Sequence, residues 1–293
     1  MVSSVAIPEN TIGEVFLTNK IKNVDVENLL KSGKREYIYL NTPFFNLCTL
    51  PNNRLLSSQC DIDETGRLKQ TLAIYDENYS VVKKFDVING ENIHLDDICI
   101  NEENEMFYIL NIIYHRITVT DFEMNFIEYF GSKGEGNNEF NYPKSLCFKN
   151  ECLYVSDSCN KRIQIFNEEL ELINSLKLDE SPDTIKVSSA VICIKFCTDS
   201  TIHFYNLHDL SFHKKFDNVF RINEINSNFF LLNFESLSVT CHDAYGNLKE
   251  EIFVEDLSRT TLDYEVDGSL LIFKETLLIN LYSQEKIIKI SKN

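Results

Sequence analysis

A chain of 293 residues, 43% hydrophobic and 12% aromatic, carries enough apolar material for one large domain or two small ones. Its 45 acidic residues against 28 basic ones leave a net charge of -17, a field that repels nucleic-acid phosphates and anionic lipid at long range. No apolar run approaches the roughly eighteen residues of a membrane span, and the opening MVSSVAIPEN lacks a basic segment followed by an apolar one, so the reading expects a cytoplasmic protein with no membrane partner.

In chain order, DVENLLKSG predicts a short helix with Asp25 as N-cap and Gly33 just past its end. REYIYL then predicts a strand able to add to a ring closure, and residues 1–41 are expected to form an extension outside the repeated units of the remaining chain. Three later segments, TLAIYDENYSVVKKF, RITVTDFEMNFIEYF and RIQIFNEELELINSL, alternate with period two, the strand pattern. Set in register they share columns: Leu72, Ile117 and Ile163; Ile74, Val119 and Ile165; Asp76, Asp121 and Asn167; then Val81, Phe126 and Leu172; finally Phe85, Phe130 and Leu176. Asp and Asn favour turns by bonding nearby backbone, so the columns predict a strand, an Asx-type turn and a second strand, repeated about every 45 residues.

Fainter copies occur around Ile202, Val239 and Leu277, and further apolar pairs such as SLCFKNECLYVSD and DICINEENEMFYIL precede the hairpins. A unit of about four strands repeated in this way predicts an all-β, six-bladed β-propeller of four-stranded antiparallel blades. The blades are expected at 42–88, 89–135, 136–178, 179–216, 217–252 and 253–293.

Residues 130–167 read FGSKGEGNNEFNYPKSLCFKNECLYVSDSCNKRIQIFN. This stretch resembles the NHL repeat, with Gly131, Gly134, Gly136, Phe140, Pro143, Tyr154, Val155, Asp157, Ser158, Asn160, Arg162, Ile163, Ile165 and Phe166 on the motif's positions. The preceding unit keeps Tyr108, His115, Arg116, Ile117, Val119 and Gly131 but has Asn111 in place of the aspartate, and the blades after residue 178 lack the glycines, the aspartate and the arginine. Physically, the glycines are expected to take positive φ in a blade-to-blade crossing. Pro143 should begin a strand, where its missing donor is not needed, and Asp157 should clamp the loop to Arg162.

Several chemistries are weighed against that structural reading. GSKGEG lacks the order and the downstream helix of a phosphate loop. DIDETGRLKQ lacks calcium-loop spacing, the six histidines form no ligand set, and the nine cysteines match no paired zinc knuckles and are expected mostly as reduced core residues. No catalytic residue, metal or cofactor is therefore assigned. The resemblance implies a non-enzymatic scaffold that binds a protein or peptide, in the manner of the substrate-recruiting end of tripartite-motif ubiquitin ligases, though RING, B-box and coiled-coil modules are absent from this sequence. Two alternatives stay open: a lactonase- or esterase-like metal-dependent propeller hydrolase, and binding of single-stranded RNA. The second would use Lys133, Lys144, His115, Arg116, Lys161 and Arg162, the candidate face-loop residues for any partner, although no aromatic residues are expected to interleave with them as stacking platforms. A monomer is expected.

Overall fold

The computed structural model describes residues 34–39, 44–50, 54–62, 68–76, 81–198, 200–225, 227–233, 238–253, 270–273, 276–281 and 286–291. The strands are β1 (Lys34–Tyr39), β2 (Phe44–Leu50), β3 (Arg54–Ile62), β4 (Leu68–Tyr75), β5 (Val81–Phe85), β6 (Val87–Ile88), β7 (Glu91–Asn92), β8 (Asp97–Asn101), β9 (Met106–Asn111), β10 (Arg116–Asp121), β11 (Phe126–Phe130), β12 (Ser132–Lys133), β13 (Glu139–Phe140) and β14 (Pro143–Lys149). They continue as β15 (Cys152–Asp157), β16 (Arg162–Phe166), β17 (Leu172–Lys177), β18 (Pro182–Val187), β19 (Val191–Phe196), β20 (Ile202–Asn206), β21 (Phe212–Phe216), β22 (Val219–Ile225), β23 (Asn228–Asn233), β24 (Ser238–His242), β25 (Leu248–Phe253), β26 (Leu270–Phe273), β27 (Thr276–Leu281) and β28 (Lys286–Ser291). Among the described residues the helical content is a 3-10 turn, Ser158–Asn160. The helix expected between Asp25 and Gly33 lies outside the described residues.

Five four-stranded antiparallel sheets are each built from consecutive strands: β2–β5, β8–β11, β14–β17, β18–β21 and β22–β25. We refer to them as the first to fifth blades. Among the described residues, the segment expected as a sixth contiguous blade, 253–293, supplies β26, β27 and β28 to a composite sheet whose fourth strand is β1, with Tyr37 opposite Ile288. That corrects the parse of six like blades. Its physical reason is edge pairing: β1 satisfies the N–H and C=O groups along the free edge of β28.

By contacts the chain divides into two compact units, residues 1–60, 72–84 and 263–293 in one and residues 61–71 and 85–262 in the other. The larger holds the second to fifth blades, and its core lies between blades. One apolar cluster joins Leu110, Ile117, Val119 and Phe130 to Leu146, Leu153, Val155 and Phe166. The next joins Tyr154, Ile163, Ile165 and Leu176 to Ile185, Ile192, Ile194 and Phe196, and a third joins Cys193 and Phe204 to Ile222, Phe229 and Leu231. Alternate residues of a middle strand thus serve opposite neighbours: in β19, Ile192 and Ile194 face the third blade while Val191 and Cys193 face the fifth. Burial on both faces is why VICI is an unbroken apolar run instead of an alternating one.

The outer hairpins repeat one turn. In the second blade Asp121 N–H donates to Asn125 O and Met124 N–H to Asp121 O, while Asp121 Oδ1 accepts from the N–H groups of Glu123 and Asn125. In the third blade Asn167 N–H donates to Glu171 O, Leu170 N–H to Asn167 O, and Asn167 Oδ1 accepts from Glu171 N–H. In the fifth, Asp243 repeats the pattern with Gly246 and Asn247. Met124, Leu170 and Gly246 all take positive φ. Each loop is a turn closed by a left-handed residue, as the Asx column predicts. Just after it the outer strand bulges, leaving Ile127, Ile173, His213 and Lys249 without an opposite residue in four successive blades. Bulges that twist an outer strand blunt its capacity to pair with another chain.

Candidate functional site

In an antiparallel meander, the loops between second and third strands and the linkers between blades emerge at the same end. At that end of the third blade, β15 finishes on Asp157 and β16 begins on Arg162, directly opposite in the register. The Asp157 carboxylate is fully buried and Arg162 Nε donates to its Oδ2 at 2.7 Å. Asn141 N–H donates to Oδ1 at 2.7 Å, and Asn160 Nδ2 reaches both oxygens at 3.1 and 2.9 Å. A second guanidinium nitrogen and its neighbours bind the linker: Arg162 Nη2 donates to Gly136 O at 2.7 Å and Glu139 O at 3.0 Å, Gln164 Nε2 to Glu139 O at 2.8 Å, and Asn160 Nδ2 to Gly134 O at 2.8 Å. One buried carboxylate therefore fixes both a loop and the linker that enters the blade, the charge-assisted geometry that makes such pairs strong.

The linker glycines divide the work differently from the expectation. Gly131 alone of the three has positive φ, +87°, and a Cβ there would lie 2.3 Å from the Phe140 ring. Gly134 and Gly136 make room for the Glu139 carboxylate, which accepts from Gly136 N–H at 2.8 Å. Positive φ is taken instead by Asn138 and Tyr142. Pro143 begins β14, as expected.

The six candidate face residues do not form a free basic island. Arg162 is held in the clamp. Arg116 pairs with Glu91 and lies over the Tyr129 ring, 3.6 Å from its centroid, and 4.9 Å from that of Tyr114. His115 is buried, accepts at Nδ1 from Tyr142 N–H at 2.9 Å, and meets the Tyr142 ring edge-on at 4.8 Å. Burial, with Lys133 nearby, holds its pKa below the ordinary value. Lys144 Nζ donates to Asp183 Oδ1 at 3.2 Å and Lys161 Nζ to Asp179 O at 2.8 Å, while Lys133 is exposed. The expectation that no aromatic residues interleave with these cations is corrected: Tyr114, Tyr129 and Tyr142 do, because Tyr114 adjoins His115 in a loop and the other two arrive from strand and linker. Beside them Ile113, Tyr114 and Tyr142 stand 59%, 47% and 49% exposed.

A family model described as the NHL repeat matches residues 140–166, from Phe140 through the Asp157–Arg162 clamp to Phe166. The chain carries an NHL repeat within a β-propeller fold. Its blades are four-stranded and antiparallel, and similar folds are found at low identity. The structure titled "Streptogramin B lyase structure" is 11% identical with a TM-score of 0.57, over 89% of this chain and 98% of that one. The Cps50 (Swd1) β-propeller domain of Myceliophteria thermophila is 10% identical with a TM-score of 0.53, over 88% and 100%. A functionally unknown protein from Desulfotomaculum acetoxidans DSM 771 is 16% identical with a TM-score of 0.51, over 71% of each chain. No curated protein matches significantly in sequence.

Within the NHL-repeat propeller, departures from the motif have visible consequences. Asn111 occupies the aspartate position of the second blade, opposite Arg116. A neutral amide cannot hold the guanidinium as a carboxylate does, and Asn111 Oδ1 accepts from Tyr114 N–H at 3.0 Å while Arg116 turns to Glu91. In the fourth blade the clamp is replaced by packing of Phe196 against His203, centroids 4.7 Å apart. Sequence reasoning missed two features at this end. One is the exposed Ile113, Tyr114 and Tyr142, on a loop and a linker that meet through His115, with left-handed backbone at His115 and Tyr142. The other is a charged cluster of Lys144, Asp183, Lys195 and the exposed thiol of Cys197. Cys197 and Cys159 are exposed, against the expectation of core fillers that Cys99, Cys193 and Cys241 meet.

Proposed function

We propose that this propeller is a non-enzymatic interaction platform that docks a protein or peptide on the loop end of its second and third blades. The observation that carries this reading is the patch of Ile113, Tyr114 and Tyr142, half-exposed on a linker and a loop held rigid by the His115–Tyr142 and Arg116–Tyr114 contacts. Tyrosine adds large contact area with few rotors, and a preorganised surface loses little entropy when a partner docks. The reading extends to a monomeric cytoplasmic chain and to the adaptor role in ubiquitination that the family resemblance implies.

The single-stranded RNA alternative has less support. Arg116 and Arg162 are engaged internally, and Lys144 and Lys161 are bonded to their own chain. For the metal-dependent hydrolase, no group of three or more His, Cys, Asp or Glu side chains among the described residues is placed to hold a metal. The test is affinity capture from cell extract by the intact chain, a Tyr114→Ala/Tyr142→Ala chain and an Ile173→Ala control, each with and without ribonuclease. Protein partners retained after ribonuclease and lost with the double variant support the patch. RNA-dependent recovery, or recovery indifferent to both tyrosines, overturns it.

A further inference from the structure

The flank of the fourth blade that faces the third carries a cluster of rings that the loop-end docking surface does not use. Along β20, Ile202 and Phe204 pack towards the fifth blade, so the alternate residues His203 and Tyr205 turn towards the third, where Tyr205 lies against the cluster of Ile163, Ile165 and Ile185. Phe212 stands opposite Tyr205 on β21 and shares its face. Its ring centroid is 5.5 Å from that of His203 and 5.9 Å from that of Tyr205, both edge-to-face, and Phe196 closes the floor 4.7 Å from His203. Phe196 is buried, His203 and Tyr205 are half-buried, and Phe212 is 56% exposed. The matching places hold Thr118, Thr120 and Phe126 in the second blade, Gln164, Phe166 and Leu172 in the third, and Thr240, His242 and Leu248 in the fifth. Of these four blades, only the fourth sets three rings there.

The rings sit in a negative field. The linker from third to fourth blade brings up Asp179 and Glu180, and burial together with their two charges holds the Tyr205 hydroxyl above its ordinary pKa. Asp179 is exposed, Glu180 is half-buried and accepts from the Thr198 hydroxyl, and neither carboxylate has a salt-bridge partner among the described residues. Nearby cations are engaged: Lys161 Nζ donates to the Asp179 carbonyl, and Lys215, opposite His203, pairs with Asp217 at 3.2 Å. A field that resists negative charge on the tyrosine oxygen favours positive charge beside it.

We propose that this aromatic ledge is a second binding site of the propeller, taking an arginine side chain of a basic peptide, with the guanidinium over the Tyr205 and Phe212 rings and Asp179 and Glu180 supplying the counter-charge. A guanidinium is planar and weakly hydrated, so it loses little solvation when it lies on a ring, where the quadrupole attracts it. A lysine ammonium is more strongly hydrated and fits the ledge less well. The second blade already shows the combination in its own chain, since Arg116 lies over the Tyr129 ring at 3.6 Å while it pairs with Glu91. The net charge of -17 draws such a peptide in, and the rings decide where it settles.

The test is calorimetric titration of the full chain, at about 0.15 M salt, with the capped peptide acetyl-Ala-Ala-Arg-Ala-Ala-amide and with its citrulline counterpart, which keeps the shape and loses the charge. The citrulline peptide is expected to bind about tenfold more weakly. Phe212→Ala, at an exposed position, should weaken the arginine peptide about threefold, and Asp179→Asn/Glu180→Gln about fivefold. Leu248→Ala, at the matching exposed place of the fifth blade, should leave the affinity unchanged. No measurable binding of the arginine peptide, or equal affinity for the two peptides, overturns the proposal. So does binding that ignores Phe212→Ala, or that falls as far in Leu248→Ala, the behaviour of diffuse attraction to an acidic chain.

Discussion

Asp157 and Arg162 are bonded at 2.7 Å where β15 ends and β16 begins, while Asn111 and Arg116 face each other at the matching place one blade earlier and Arg116 turns away to Glu91. A single oxygen-for-amide difference decides where the guanidinium goes. With Asp157, the positive charge stays inside the blade and ties the linker down. With Asn111, the arginine is released to order Tyr114 and Tyr129 instead.

Asp157→Ala is expected to cost about 3–5 kcal/mol, the usual penalty for removing one partner of a buried pair and leaving the other uncompensated. Asn141 N–H, Asn160 Nδ2 and Gln164 Nε2 would lose an acceptor in the same step. Asp157→Asn preserves shape and one acceptor oxygen, so its cost should be smaller. Urea denaturation checks both: the midpoint falls in the order wild type, Asn, Ala with little change in slope. An unshifted midpoint in Asp157→Ala would mean the clamp contributes nothing.

Gly131→Ala combines two penalties, since the residue is left-handed and the new Cβ would meet the Phe140 ring at 2.3 Å. A left-handed alanine costs about 1 kcal/mol and overpacking a closed core about 1–3 more. Gly246→Ala should be milder, because its contact with Phe204 is 2.9 Å and lies at an outer turn. Thermal melts should rank the two in that order, with Gly131→Ala lower.

The legible part of this protein is its backbone logic. Period two marks the strands, and the Asp121–Asn167 column marks the turns because an Asx side chain bonds locally whatever surrounds it. The Asp157–Arg162 clamp is readable for the same reason: five residues on two paired strands leave little choice of partner. What depends on neighbouring blades is not. Lys144 meets Cys197 only because β14 packs beside β18, and nothing local in PKSLCFK announces it. The pattern of REYIYL shows that β1 can act as a closing strand, yet the composite sheet it completes with β28 reads in sequence as a self-contained blade.

The Asx turns offer a matched series. Asp243 Oδ1 accepts from the N–H groups of Tyr245 and Asn247, and Asp121 Oδ1 from those of Glu123 and Asn125, whereas Asn167 Oδ1 accepts from Glu171 N–H. Alanine at either aspartate should cost about 1–2 kcal/mol, and at Asn167 about half of that, given roughly 1 kcal/mol or less per exposed hydrogen bond. Hydrogen exchange at the freed amides reads the effect directly. Protection retained at Asn247 and Asn125 in the alanine variants would refute the capping role.

Two buried histidines set a pH dependence. His115 and His242 both have pKa values held below 6.5, in each case chiefly by burial. Lys133 lowers the first further and Asp157 opposes it; for the second, the Gly246 carbonyl and Asp243 oppose the effect while Lys214 adds to it. The unfolded chain therefore binds protons that the folded chain refuses, so stability is fully present above about pH 6.5 and is lost as pH falls through that value towards the folded pKa. The losses have structural addresses. Protonation of His115 Nδ1 removes the acceptor for Tyr142 N–H, and protonation of His242 Nε2 removes the acceptor facing the Thr240 hydroxyl. Melting temperature should drop between about pH 7 and pH 5.5, and the slope should flatten in His242→Gln, whose neutral amide has no proton to take up. Because His115 carries the linker that presents Tyr142, partner capture at the loop end should weaken over the same interval in the intact chain. A flat melting curve across it, with capture unchanged, would show that neither imidazole is held neutral by the fold.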